Sequence, residues 1–288
     1  MIDLGNITLR SRSLPIANLA ISVWQRSPML SAMGLLLLAL MLPTLLLYAL
    51  DSRLLQGVNV WTKPLKFQLS LGTYFLTLAW FVGYSRDEFS NGRQHVWFAS
   101  ALALAACFEV AYITFQAAVG EMSHFNIASP LHSIMYSLMG LGAVTLATLP
   151  LWLAVMIGKN ASLRVPSSLR FGIVVGLVLT SILGLVSGVT ISAFNGPVIG
   201  AVGEQATYLW FLGWSFNAGD LRVAHFMGLH LMQLIPLAAW LLVTVRVYQA
   251  YFWTVTVTLL LLTVWLLSYA QALAGIPFWS LNFWSLNF

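Results

Sequence analysis

The chain has 288 residues, of which 60% are hydrophobic and only 7% charged. Soluble domains carry about 25% charged residues, so this composition excludes a globule covered by water. The formal charge of +5 comes from single Lys and Arg residues with no basic stripe, which excludes nucleic acid as a partner and leaves the lipid bilayer.

Residues 1–28 hold Arg10, Arg12 and Arg26 around a weakly apolar stretch. No long apolar run precedes a small-residue cleavage site, so a cytoplasmic, interfacial segment is expected rather than a signal peptide. A bundle is expected over 29–272. Apolar stretches of spanning length, roughly 17–25 residues, fall at 29–50, 65–84, 95–118, 131–157, 169–191, 223–246 and 250–272. Helices are the expected form, because an open sheet leaves backbone groups unsatisfied in lipid. Pro28, Pro64 and Pro130 stand near helix starts, where a missing N–H matters least. Pro43, Pro150 and Pro236 stand inside spans and predict kinks. The 192–222 segment is rich in Gly and aromatics and predicts a periplasmic lid. The last residues, 273–288, repeat WSLNF and predict an interfacial aromatic tail, consistent with twelve Trp and nine Tyr in the chain. The lone Cys107 allows no intramolecular disulfide. One domain is expected.

The basic residues set an orientation. With the N-terminus in the cytoplasm, Arg10, Arg12, Arg26, Arg86, Arg93, Lys159, Arg164, Arg170 and Arg246 lie inside. Arg53, Lys63, Lys66 and Arg222 lie outside. Nine against four favours N-in and C-out.

Ionisable groups inside a membrane are costly and point to function. Glu109 falls about ten residues from the outer end of its span, roughly 15 Å deep, and His230 about eight residues in, roughly 12 Å deep. They lie at similar depth in the outer half, where an antiparallel pair could touch. Polar stripes recur on four spans: Glu109, Tyr112 and Gln116; Lys66, Ser70, Thr73 and Thr77; His132, Ser133, Tyr136 and Ser137; Arg222, His230 and Gln233. All reach the outer side and predict a polar cavity there. Carboxylate and imidazole together suit a transition metal or haem. The candidate ligands are Glu109, His225, His230 and His124. Lys63, Lys66, Tyr112, Gln116, His132, Asp220, Arg222 and Gln233 would line the cavity and its mouth. His225 and His230 stand about 140° apart around one helix, so one of them at most faces a given ion. A metal-bound water with Glu109 as base would make a hydrolase; no residue pattern singles out a catalytic set.

Three stretches, VNVWTKPLKFQLSLGTYFLTLAWF (58–81), FEVAYITFQAAVGEMSHFN (108–126) and GDLRVAHFMGLHLMQLIP (219–236), resemble a widespread family of polytopic bacterial inner-membrane proteins with no established activity. They cover roughly a quarter of the chain. The resemblance implies a multi-pass bacterial inner-membrane protein and carries over no functional residue. Members carry a Gly-His pair in the loop before the sixth span; this chain has FNGPVIG there.

The expectation is an all-α, seven-helix transmembrane bundle with a metal or haem site in its periplasmic half. Two alternatives stand beside it. One is a small-solute or proton-coupled transporter, with Glu109, Lys66, His230 and Arg222 relaying protons or holding an anion. The other is an accessory subunit that rests on a membrane-protein partner or a second copy of itself.

Overall fold

The computed structural model describes residues 22–200 and 207–280. The expectations for the first 21 residues, for 201–206 of the proposed lid and for 281–288 of the WSLNF tail lie outside the described residues.

The chain is an all-α bundle with two small strand pairs. In order come α1 (Pro28–Leu50), β1 (Leu54–Leu55), β2 (Val58–Asn59), α2 (Thr62–Val82), the one-turn α3 (Asp87–Ser90), α4 (Arg93–Val119), α5 (Pro130–Gly158), α6 (Ser167–Ala193), β3 (Val198–Ile199), β4 (Gly219–Asp220), α7 (Leu221–Thr244) and α8 (Ala250–Leu273). Both strand pairs are antiparallel, with Leu55 opposite Val58 and Ile199 opposite Gly219.

Side chains fix where the helices start. Ser27 and Ser129 precede Pro28 and Pro130 and accept from Leu30 N and His132 N, which satisfies amides that have no helical partner. Asp220 does the same for Arg222 N at the head of α7. At the far end of α4, Gly120 takes a left-handed conformation and Glu121 N reaches back to Gln116 O at 2.9 Å, a Schellman turn.

Among the described residues, six helices, α1 and α4 to α8, are long and apolar enough to cross a membrane. Their outward faces stay apolar: Leu42 and Leu104 are 71% and 75% exposed, as side chains against lipid are. Helix α2, over the predicted 65–84 stretch, has 21 residues but a lower apolarity, because Lys63, Lys66, Gln68, Ser70, Thr73 and Thr77 lie on it.

Helix α1 packs on α2, both touch α4, and the chain of contacts continues α4–α5–α6–α7–α8. The α6–α7 contact is the closest. Residues 172, 176, 184 and 188 of α6 are all glycines four or eight apart, and α7 lies in the groove they leave. A Cβ on Gly176 would sit 3.1 Å from Leu231 O, and one on Gly172 3.3 Å from Ile235 O. Thr180, in the same row, accepts from Met232 N at 2.8 Å, just before Pro236. Small residues at such spacing let membrane helices approach and gain dispersion contacts.

Helix directions alternate, so the starts of α2, α5 and α7 meet the ends of α1, α4, α6 and α8. At the opposite end the core is one continuous cluster, joining Leu37, Phe75, Phe81, Phe98, Leu153, Ile173 and Ala239. Toward the first end it divides into two small clusters, one around Leu183, Leu231 and Trp265, the other around Val60, Trp61 and Ala117. Polar side chains occupy that divided end.

Candidate functional site

The β1–β2 hairpin fixes the head of α2. Asn59 Nδ2 donates to Asp51 O at 2.6 Å, Asn59 Oδ1 accepts from Trp61 N, and Trp61 Nε1 donates to Asp51 Oδ2 at 2.8 Å. Arg53 grips Asp51 through Nε and Nη2 and also donates to Ala118 O at the end of α4. The Arg53 side chain and amide, then Trp61, hold the Asp51 carboxyl well below the usual carboxylate range. Lys63 and Lys66 are thereby set in the first two turns of α2, Lys63 toward the loop after α4 and Lys66 toward Leu212.

The loop after α4 turns back into this space. Gln116 donates to Tyr112 Oη at 3.0 Å and to Met122 O at 3.2 Å, and Asn126 also donates to Met122 O. Phe125 has a positive φ of 58°, and the turn directs His124 between Phe67 of α2 and Tyr136 of α5. His124 Nδ1 lies 3.0 Å from Lys63 Nζ and 3.2 Å from Ser123 Oγ. The ammonium can only donate, so Nδ1 accepts and Nε2 bears the hydrogen. Nε2 faces Glu109 Oε2 at 3.9 Å, just beyond hydrogen-bond length. Burial first, and the Lys63 charge second, push the His124 pKa well below the ordinary histidine value, which keeps the ring neutral.

Glu109 is 2% exposed, and neither of its oxygens has a hydrogen-bond partner. Its Oε1 rests against Gly142 of α5, where a Cβ would lie 2.9 Å away. The glycine makes room for the carboxyl group.

A second polar group lies beside the first. The segment 207–218 before β4 folds over the head of α2 through a turn in which Gly213 N donates to Leu209 O and Leu209 N to Trp214 O. Lys66 Nζ donates to Leu212 O at 3.0 Å. Asp220, 1% exposed, accepts from Ser215 N at 2.8 Å and from Arg222 through Nε and Nη2, the latter at 2.6 Å.

The other expected site residues lie apart. His225 Nδ1 is 2.9 Å from Ser187 Oγ on α6. His230 packs against Phe226 with ring centroids 4.3 Å apart and the planes tilted by 55°, and Gln233 reaches Thr77 of α2 at 3.4 Å. His132 Nε2 meets Glu121 at 3.0 Å, and its Nδ1 lies 2.9 Å from Ser129 Oγ, at the head of α5. The expected Glu109–His230 contact is therefore corrected. Depth along a helix gives height only, and α4 packs on α2 and α5 while α7 packs on α6 and α8. Among the described residues, no three His, Cys, Asp or Glu side chains form a group that could hold a metal ion. Of the four expected ligands, only Glu109 and His124 come together. Gly142 escaped sequence reasoning, although its count from the start of α5 places it at the height of Glu109.

No protein-family model, no curated protein and no solved structure matches this chain.

Proposed function

We propose that the protein is a bacterial inner-membrane protein of the polytopic family it resembles, with α2 as a seventh span, N-terminus in the cytoplasm and C-terminus in the periplasm, and that it couples proton movement to the handling of a small solute. The charge distribution supports the orientation, and the polar end of the bundle is then periplasmic.

The observation that carries the reading is the row Lys63–His124–Glu109. It leads from partly exposed groups to a carboxyl group with no hydrogen-bond partner. A buried carboxylate without donors is unfavourable by several kcal/mol, and a group so placed gains from accepting a proton. The balance of one step is simple. The Lys63 ammonium gives a proton to His124 Nδ1, and His124 Nε2 gives its hydrogen to Glu109. The end state is a neutral amine, a neutral imidazole of the other tautomer and a neutral carboxylic acid. The 3.9 Å gap closes with a small side-chain rotation.

The test is proton entry into proteoliposomes that contain a trapped pH-sensitive dye, under an imposed gradient. Wild-type protein is expected to carry protons and Glu109→Gln to lose most of the flux while keeping its melting temperature within a few degrees. Full flux in Glu109→Gln rejects the reading.

A transition metal or haem is the second reading, favoured by one observation: Glu109 and His124 present an oxygen and a nitrogen to the same gap. Metal analysis by mass spectrometry, on protein purified without chelator or metal resin, decides it. Near-stoichiometric iron, copper or zinc that disappears in His124→Gln would replace the proton reading.

A further inference from the structure

Two helix heads in this protein bring cations together against an ordinary preference. The first turn of a helix favours acidic side chains, because the N-terminal dipole is positive. Neither α2 nor α7 has an acidic residue there. They carry Lys63, Lys66 and Arg222 instead, and these three cations lie close enough to repel one another. Among the described residues, two carboxylates act on the cluster. Asp220 is held by Arg222 Nε and Nη2 and by two backbone amides. Glu109 acts on Lys63 from the far side of His124. Among the described residues, neither lysine forms an ion pair.

The donors that remain point to one place. Lys66 Nζ donates to Leu212 O and has two further hydrogens. Arg222 Nη1 lies on the side of the guanidinium away from the Asp220 bonds. A Cβ on Gly213 would stand 3.7 Å from Lys66 Nζ and 3.8 Å from Arg222 Nη1. Gly213 has a left-handed φ of 67°, where a side chain is disfavoured. No side chain at this position stands between the two cations, and both come near the same side of the Gly213 backbone. Charge-assisted hydrogen bonds to an oxyanion are about 2.7–2.9 Å long, so two oxygens of one group beside that backbone can meet both donors.

We propose that Lys66 and Arg222 bind a phosphate-type oxyanion beside Gly213, with Lys63 adding long-range attraction. Both a free phosphate and the head group of an anionic lipid have this chemistry. The two binding donors, Lys66 and Arg222, lie outside the Glu109 row, and the proposal does not require proton coupling.

The full-length protein in mild nonionic detergent is titrated with inorganic phosphate against chloride of equal ionic strength. Intrinsic tryptophan fluorescence and the melting temperature are followed; Trp214 lies one residue from Gly213. The same protein is also placed in nanodiscs of phosphatidylcholine with and without phosphatidylglycerol. The expected result is a saturable phosphate response, weakened about tenfold or more in Lys66→Gln and largely kept in Lys66→Arg. A response to free phosphate assigns a soluble anion. A Lys66-dependent rise in melting temperature with phosphatidylglycerol alone assigns a lipid head group. Lysine acylation of the wild-type protein, read by mass spectrometry, gives a measurement that needs no variant: phosphate should slow modification of Lys66 but not of Lys159. The proposal is overturned by no phosphate-specific response in either medium, by a response unchanged in Lys66→Gln, or by acylation of Lys66 that phosphate leaves untouched. Glu109→Gln should keep the phosphate response, so failure of this site and failure of the proton row are told apart.

Discussion

Gly142 and Glu109 share one small volume, and each limits what the other can be. Adding a methyl group at Gly142 brings it to 2.9 Å from Glu109 Oε1, so the carboxyl must shift within a packed interface. Gly142→Ala should destabilise the protein by about 1–3 kcal/mol in detergent. The penalty should largely vanish in the Glu109→Ala background, because the clash then has no second partner. Equal penalties in both backgrounds would mean that the two residues are not coupled. His124 gives a second expectation through pH. Burial and Lys63 lower its pKa in the folded state, so the unfolded chain binds more protons between that value and about 6.5, the free histidine value. Stability therefore rises with pH across this window, stays level above it and is lost as pH falls below about 6.5. Asp51, also held low, makes its contribution at pH values above the carboxylate range and loses it only at lower pH. Melting curves from pH 8 to pH 5 should show the acid-side loss shrink in His124→Gln; an unchanged profile would remove His124 as its source.

Helix contacts obey a comparable rule about room. Gly176 touches the backbone of α7, whereas nothing lies within 4 Å of a Cβ built on Gly140. Gly176→Leu should lower stability by about 1–3 kcal/mol or more through overpacking, and Gly140→Leu should change little. Thr180→Val should cost about 1 kcal/mol, the usual worth of a buried hydrogen bond, by removing the acceptor for Met232 N. The helices themselves were easy to read, because apolar length is a local property: the stretch at 95–118 became Arg93–Val119 and that at 131–157 became Pro130–Gly158. Their neighbours were harder. Polar spacing places Glu109, Tyr112 and Gln116 on one face but carries no information on which helix that face meets, so depth alone points to His230 and not to the loop residue His124. The glycine row of α6 is legible as a small-residue repeat, and it marks the α7 contact that turns His225 toward Ser187. The turn that brings Gly213 between two cations depends on the long-range bond from Lys66 to Leu212 O, which no local pattern announces.

Across the whole molecule, the positive-inside bias makes a clear expectation. A periplasm-active reporter such as alkaline phosphatase should be active when fused after residue 280 and inactive when inserted at 159–166, between α5 and α6. The opposite pattern would invert the assignment of the polar end to the periplasm. The core adds a mechanical consequence. Seven helices, the one-turn α3 included, share one apolar cluster at the opposite end, while at the polar end the clusters separate and the head of α2 is linked to the α7 side by the bond from Lys66 to Leu212. Such a body behaves like forceps: its joint is the continuous core, and the tips are the helix heads that carry Lys63, Lys66 and Arg222. Amide exchange should be slowest around Phe81 and Ile173 and fastest at the tips, and any charge held between the tips would set how far they stand apart.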